Sequence, residues 1–112
     1  YPETMKLIKQ KMITLELCPT SNVLTNAVRS IAEHPFRYLM EQGLPVTLNS
    51  DDPSVFNIDL VHEYRVMTNI QKLTVEELNH INDTAAAASF ISLQEKQKNW
   101  PRPIRQALAP WN

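Results

Sequence analysis

Two neighbouring carboxylates are the sharpest chemical feature of the 112-residue chain: Asp51 and Asp52, in the run Ser50-Asp51-Asp52-Pro53. Adjacent like charges repel, and both stay ionised only where something positive compensates them. A divalent cation, bound through a carboxylate oxygen, would supply that charge. The same residues also have a structural reading. Asp52 before Pro53 is a helix start signal, in which the carboxylate caps backbone N–H groups and the proline needs no N–H of its own. Cys18 is the single cysteine. A nucleophilic thiol would need a base at hand, and no Cys–His pairing is visible, so a buried, inert thiol is expected. One cysteine also excludes an internal disulfide and a cysteine-rich zinc knuckle. His34, His62 and His80 show no His-x-His or His-x-x-x-His spacing, and each reads as surface or structural. Glu76, Glu77 and Asp83 read as a solvated helix face, Ala85–Ala88 as close helix packing, and Trp100 and Trp111 as marks of a docked or frayed tail.

Asp51 and Cys18 each follow a segment with strand patterning. Met12 to Leu17 alternates, with Ile13, Leu15 and Leu17 on one face and Thr14 and Glu16 on the other, until Cys18-Pro19 ends it. Leu44 to Asn49 is short and apolar, with Val46 and Leu48, and reads as a second strand. A helix is expected over Glu3–Lys11, with Met5 and Ile8 as its apolar pair. Another runs from Pro35, placed as the first helical residue, to a C-cap at Gly43. From Asp59, Leu60, Tyr64 and Met67 recur at helical spacing. Thr74-Val75-Glu76-Glu77 is a capping box, and Leu78, Ile81, Ala85 and Ala88 then line one face to about Phe90. Thr20 to Ala32 is a longer connection with room for a short helix. Beyond Leu93 the chain turns polar, and Trp100-Pro101-Arg102-Pro103 and Pro110-Trp111 suggest an irregular tail.

Strand, helix, strand implies parallel pairing with a right-handed crossover. In such folds ligands gather at the carboxyl edge of the sheet, where Asp51 and Asp52 lie. Two parallel strands bury little by themselves. The chain therefore reads as a piece of a larger α/β fold, or as one holding strands that its pattern does not reveal.

Composition narrows the function. Lys plus Arg number 11 and Asp plus Glu 12, a formal charge of −1. That balance argues against a nucleic-acid or anionic-membrane partner. Hydrophobic residues at 43% and charged residues at 21% make an ordinary globular mix. No apolar run approaches the roughly 20 residues that span a bilayer. The opening Tyr1-Pro2-Glu3 lacks the basic and apolar regions of a signal peptide, so a cytoplasmic location is the expectation.

Leu15-Glu16-Leu17-Cys18-Pro19-Thr20-Ser21-Asn22, His34-Pro35, Gly43, Leu48-Asn49-Ser50-Asp51-Asp52-Pro53 and Glu63-Tyr64 together resemble the C-terminal part of the adenosine deaminase family. The resemblance covers about residues 12 to 92. It implies a TIM-type (β/α)8 barrel, of which this chain would be the last two strand–helix units plus a terminal helix. Residues 1–92 would belong to the barrel, and 93–112 would form an irregular or helical tail. The activity implied is zinc-dependent hydrolysis of adenosine to inosine and ammonia, with one Zn2+ per complete active site. By the same resemblance Asp51 is the metal ligand. Asp52 is the substrate contact, paired with N7 of the purine through a shared proton. The expected partners are a purine nucleoside or base and the rest of the barrel.

The family's His-x-His, His-x-Gly-Glu and Gly-His-Gly segments are absent from the chain. They carry the remaining metal ligands and the general acid/base, so the chain by itself is expected to be inactive. The His-x-Glu and Pro-Cys-x-x-Cys pattern of cytidine-deaminase-type zinc enzymes is absent too. Two alternatives stand beside the adenosine reading. One is the adenine deaminase branch of the same family. The other is a non-catalytic remnant acting as a binding or oligomerisation module.

Overall fold

Short-range devices written into the sequence set most of the element ends. The computed structural model describes residues 1–51 and 59–103. Helix α1 (Pro2–Lys11) has proline and Glu3 in its first turn and Lys9 and Lys11 in its last, matching the helix dipole. Met12 closes it in the left-handed region, at φ 54°. The Met12 N–H donates to the Lys9 carbonyl and the Ile13 N–H to that of Ile8. This helix end consumes Met12 and Ile13. The first strand is therefore β1 (Leu15–Leu17), shorter than the Met12–Leu17 alternation suggests, and Ile13 is exposed.

Helix α2 (Pro19–Leu24) begins the long connection, and α3 (Phe36–Glu41) follows it. Pro35 is the N-cap of α3 rather than its first helical residue, because the ring of buried His34 takes over the capping: its Nδ1 accepts the Phe36 N–H at 3.1 Å. Gly43 does end α3 as expected, at φ 81°. Its N–H donates to the Met40 carbonyl and that of Leu44 to Leu39, the paired bonds of a glycine helix end. Strand β2 (Val46–Leu48) then lies parallel to β1, with Leu15 opposite Val46, Glu16 opposite Thr47 and Leu17 opposite Leu48. These two strands form the sheet among the described residues.

Helix α4 (Leu60–Ile70) is capped by Asp59, whose carboxyl accepts the His62 N–H at 2.7 Å. Helix α5 (Val75–Ala88) opens with the expected capping box, Thr74 and Glu77 each accepting the other's backbone N–H. Helix α6 (Leu93–Asn99) occupies part of the segment that the prolines and polar run mark as irregular. Its end is docked: Trp100 Nε1 donates to Asp83 at 2.9 Å, and Arg102 Nε to the same oxygen at 2.6 Å. Asp83 is thus a half-buried anchor, not part of a solvated face.

The core joins Phe36, Met40 and Leu44 from the α3 region, Val46 and Leu48 from β2, Met67 from α4, Leu73 from the turn and Ile81 from α5. Two helical faces are rotated from the apolar pattern. On α4 the buried positions are Glu63 and Met67, while Leu60 is exposed. On α5 they are Glu77, Ile81 and Thr84, while Ala85 is exposed. Glu77 is therefore no solvated residue. Arg37 of α3 donates to both its oxygens, at 3.0 and 3.1 Å, and reaches the Gln71 and Lys72 carbonyls of the α4–α5 turn. Burial pushes the Glu77 carboxyl up, but the Arg37 hydrogen bonds and the Thr74 N–H outweigh it and hold the carboxyl below its usual range.

Candidate functional site

The carboxyl ends of the two strands are brought together just beyond the last ladder pair. The Asn49 N–H donates to the Leu17 carbonyl at 2.9 Å. Its side-chain Nδ2 reaches the same carbonyl at 3.3 Å and Thr47 Oγ1 at 2.9 Å. Asn49 so extends the clamp past the end of β2. Two residues later Asp51 takes φ 64°, a left-handed conformation that Asp tolerates better than most residues. The turn leaves Asp51 exposed at the strand end.

Ser21, buried in α2, donates from Oγ to Asp51 Oδ2 at 2.7 Å. Its neighbour Thr20 is tied to α4. The Thr20 N–H donates to Glu63 Oε1 at 2.9 Å, and Thr20 Oγ1 donates to Glu63 Oε2. Glu63 is 0% exposed, and both its oxygens are engaged by Thr20. On the next residue, Asn22 Oδ1 pairs with His34 Nε2 at 2.9 Å. Three consecutive residues after β1 thus bind three other parts of the chain.

Cys18 opens this segment as the N-cap of α2. It is half-buried rather than fully buried. Burial pushes its thiol up, and the negative charges of Asp51, Glu63 and Glu16 push it further. A thiolate is disfavoured there, which agrees with an inert thiol. His34 is structural, as expected, and His62 stands beside Glu63 with Nε2 4.0 Å from Oε2.

Asp51 fits a metal as a single ligand: an exposed carboxylate with Oδ2 steadied by a hydroxyl. A catalytic zinc takes about three protein ligands. Among the described residues no group of three or more His, Cys, Asp or Glu could hold a metal ion. Asp52 and Pro53, with both the purine contact and the helix-cap reading placed on them, lie outside the described residues, as does Trp111.

Thr20, Ser21 and Glu63 enter the sequence reading only through the family resemblance, with no part in the chemistry assigned to them. The signal for Glu63 was a polar residue four positions before Met67, on what becomes the core face of α4. A groove of about 620 Å³ lies elsewhere, between α4, α5 and α6, lined by Tyr64, Asn82, Ala85, Ile91, Lys96 and Trp100 among others. None of the residues around Asp51 lines it.

The chain is 36% identical to an adenosine deaminase from Enterococcus faecalis, over 86% of this chain and 28% of that protein. It is 38% identical to an aminodeoxyfutalosine deaminase from Streptomyces coelicolor, over 87% of this chain and 25% of that one. The chain thus spans between a quarter and a third of the length of these relatives. Among solved structures, adenine deaminase from Arthrobacter aurescens matches with a TM-score of 0.82 and 27% identity, over 86% of this chain and 29% of that chain. The N6-methyl-AMP deaminase of Arabidopsis thaliana matches with 0.78 and 31%, over 88% and 29%. The β1–β2 unit and its helices accordingly match a portion of the TIM-type barrel of these proteins, which accounts for a parallel sheet of two described strands. Residues 2–101 match the family model described as adenosine deaminase, and the chain is a member of the adenosine deaminase family.

Proposed function

We propose that the chain serves as part of a zinc-dependent barrel that hydrolyses the 6-amino group of a purine, with Asp51 as a carboxylate ligand of the metal. The observation that carries this reading is the exposed Asp51 carboxylate at the carboxyl end of β2, held by Ser21 from the end of the neighbouring strand. Carboxyl strand ends are where barrels assemble their sites. When bound, zinc supplies the Lewis acidity that activates water at neutral pH. The chain's own residues contribute position. Asp51 offers a fixed oxygen, and Asp52, in this reading, orients the purine through N7. The name of the Enterococcus faecalis relative, an adenosine deaminase, supports adenosine as the substrate. Adenine is the second reading, supported by the TM-score of 0.82 to an adenine deaminase.

The test uses a complete barrel carrying this segment. Asp51→Ala is expected to lower both zinc content and turnover. Asp52→Ala is expected to keep zinc and slow turnover roughly ten- to a hundredfold, the worth of one charge-assisted hydrogen bond expressed in the transition state. Full zinc content and normal kinetics in Asp51→Ala would refute the site. Turnover of adenosine against adenine in the unmutated protein decides between the two substrates.

A further inference from the structure

We propose that Ser21 is a positioning residue for Asp51, and that Ser21 is itself seated by the Thr20–Glu63 bolt to α4. The proposal rests on Asp51 being a metal ligand. A carboxylate at an exposed strand end can turn about two side-chain bonds, and a ligand that turns must be ordered each time a cation binds. Ser21 restrains that freedom by donating to Oδ2 at 2.7 Å, while the residue stays exposed. Ser21 can do so only if it is itself immobile. It is buried, and its carbonyl accepts from both Thr25 N–H, at 2.9 Å, and Thr25 Oγ1, at 2.8 Å.

The six-residue helix that carries Ser21 cannot hold its own place. It spans less than two turns and has no side-chain cap, and helices so short are unstable alone. Its placement comes from outside. Thr20 is bonded through both N–H and Oγ1 to Glu63, 43 residues away in sequence and fully buried. Asn22, on the other side of Ser21, is bonded to the buried His34 ring. Ser21 is therefore gripped between two long-range anchors, and the order of action is Glu63 to Thr20 to Ser21 to Asp51. Partners that hydrogen-bond a metal ligand are worth about 10–100-fold in metal affinity or activity.

The experiment uses a complete barrel carrying this segment, stripped of metal and reloaded with zinc or cobalt(II). In Ser21→Ala, chelator competition is expected to show a loss of zinc affinity of about 10–100-fold, and the visible spectrum of the cobalt form should change. The melting temperature of the metal-free protein should stay close to the parent's, since Asp51 is exposed and water replaces the lost donor. Ser21→Thr, which restores a hydroxyl, should recover affinity and spectrum. Thr20→Val should weaken zinc in the same direction and add nothing in the Ser21→Ala background, because it acts through Ser21. Its readouts also serve if the alanine variant is recovered unfolded. Asp51→Ala separates the two levels of the argument. If it leaves zinc affinity untouched, the ligand assignment falls and this proposal with it. If it weakens zinc while Ser21→Ala changes neither affinity nor spectrum, the positioning role alone is overturned. Full additivity of Thr20→Val and Ser21→Ala overturns the seating by Glu63.

Discussion

His34 shows how one side chain can hold two segments and make stability depend on pH. Its Nδ1 accepts the Phe36 N–H, so the ring proton sits on Nε2 and faces Asn22 Oδ1. The Nδ1 bond requires the neutral ring, and burial pushes its pKa below the ordinary 6.5. The unfolded chain therefore takes up this proton at a higher pH than the folded one. The His34 contribution is complete above about pH 6.5 and declines as pH falls through the window beneath it, down to the lowered folded value. Melting temperature should fall as pH drops below about 6.5, and less so in His34→Gln, which cannot be protonated. An equal fall in both proteins would place the titration on another group.

At the scale of elements, the turns and caps around α3 and α5 are separable contributions. Gly43→Ala forces a Cβ into φ 81° and should cost about 1 kcal/mol. Thr74→Ala removes one half of the capping box and should cost about 1 kcal/mol. Glu77→Ala should cost more, about 2–3 kcal/mol, because Glu77 is both the other half of that box and the two-pronged partner of Arg37. Glu77→Gln keeps an acceptor for Thr74 but removes the charge, so its loss relative to the parent measures the ion pair and the further loss in Glu77→Ala measures the cap. Urea midpoints at unchanged m-value measure each cost. A Glu77→Ala loss no larger than that of Thr74→Ala would deny the Arg37 staple any net weight. Element identity was legible in the sequence because caps and periodicity are local. The boundaries were less so: the Met12 turn and the His34 cap shift β1 and α3 through hydrogen bonds that residue type alone does not announce.

For the whole molecule, the expected behaviour follows from ligand count. The described residues bring one carboxylate to the strand ends and no group of three metal-binding side chains, whereas a catalytic zinc takes about three. The 112-residue chain by itself should bind zinc weakly in equilibrium dialysis and should show no zinc-dependent loss of adenosine absorbance above a blank. Stoichiometric, tight zinc with turnover would mean that the chain completes a site on its own, and would overturn the division of ligands between this segment and the rest of a barrel.

Motif order along the chain determined the family by itself. The Cys18-Pro19-Thr20-Ser21-Asn22 and Ser50-Asp51-Asp52-Pro53 runs, each at the end of a short apolar segment, are local patterns that need no coordinates. Parallel pairing followed from the helix between the strands, since two strands so connected run the same way. Only the tertiary structure decided which polar residues face inward. Glu77 read as part of a solvated helix face and Glu63 only as a motif residue, because spacing reports where apolar side chains fall and is silent about carboxyls whose partners lie 40 and 43 residues away. Thr20 and Arg37 satisfy those carboxyls, and once satisfied they can replace Leu60 and Ala85 on the buried faces. The bond from Ser21 to Asp51 is of the same kind. It joins two motifs 30 residues apart, and it exists because the strand pairing places their carboxyl ends side by side.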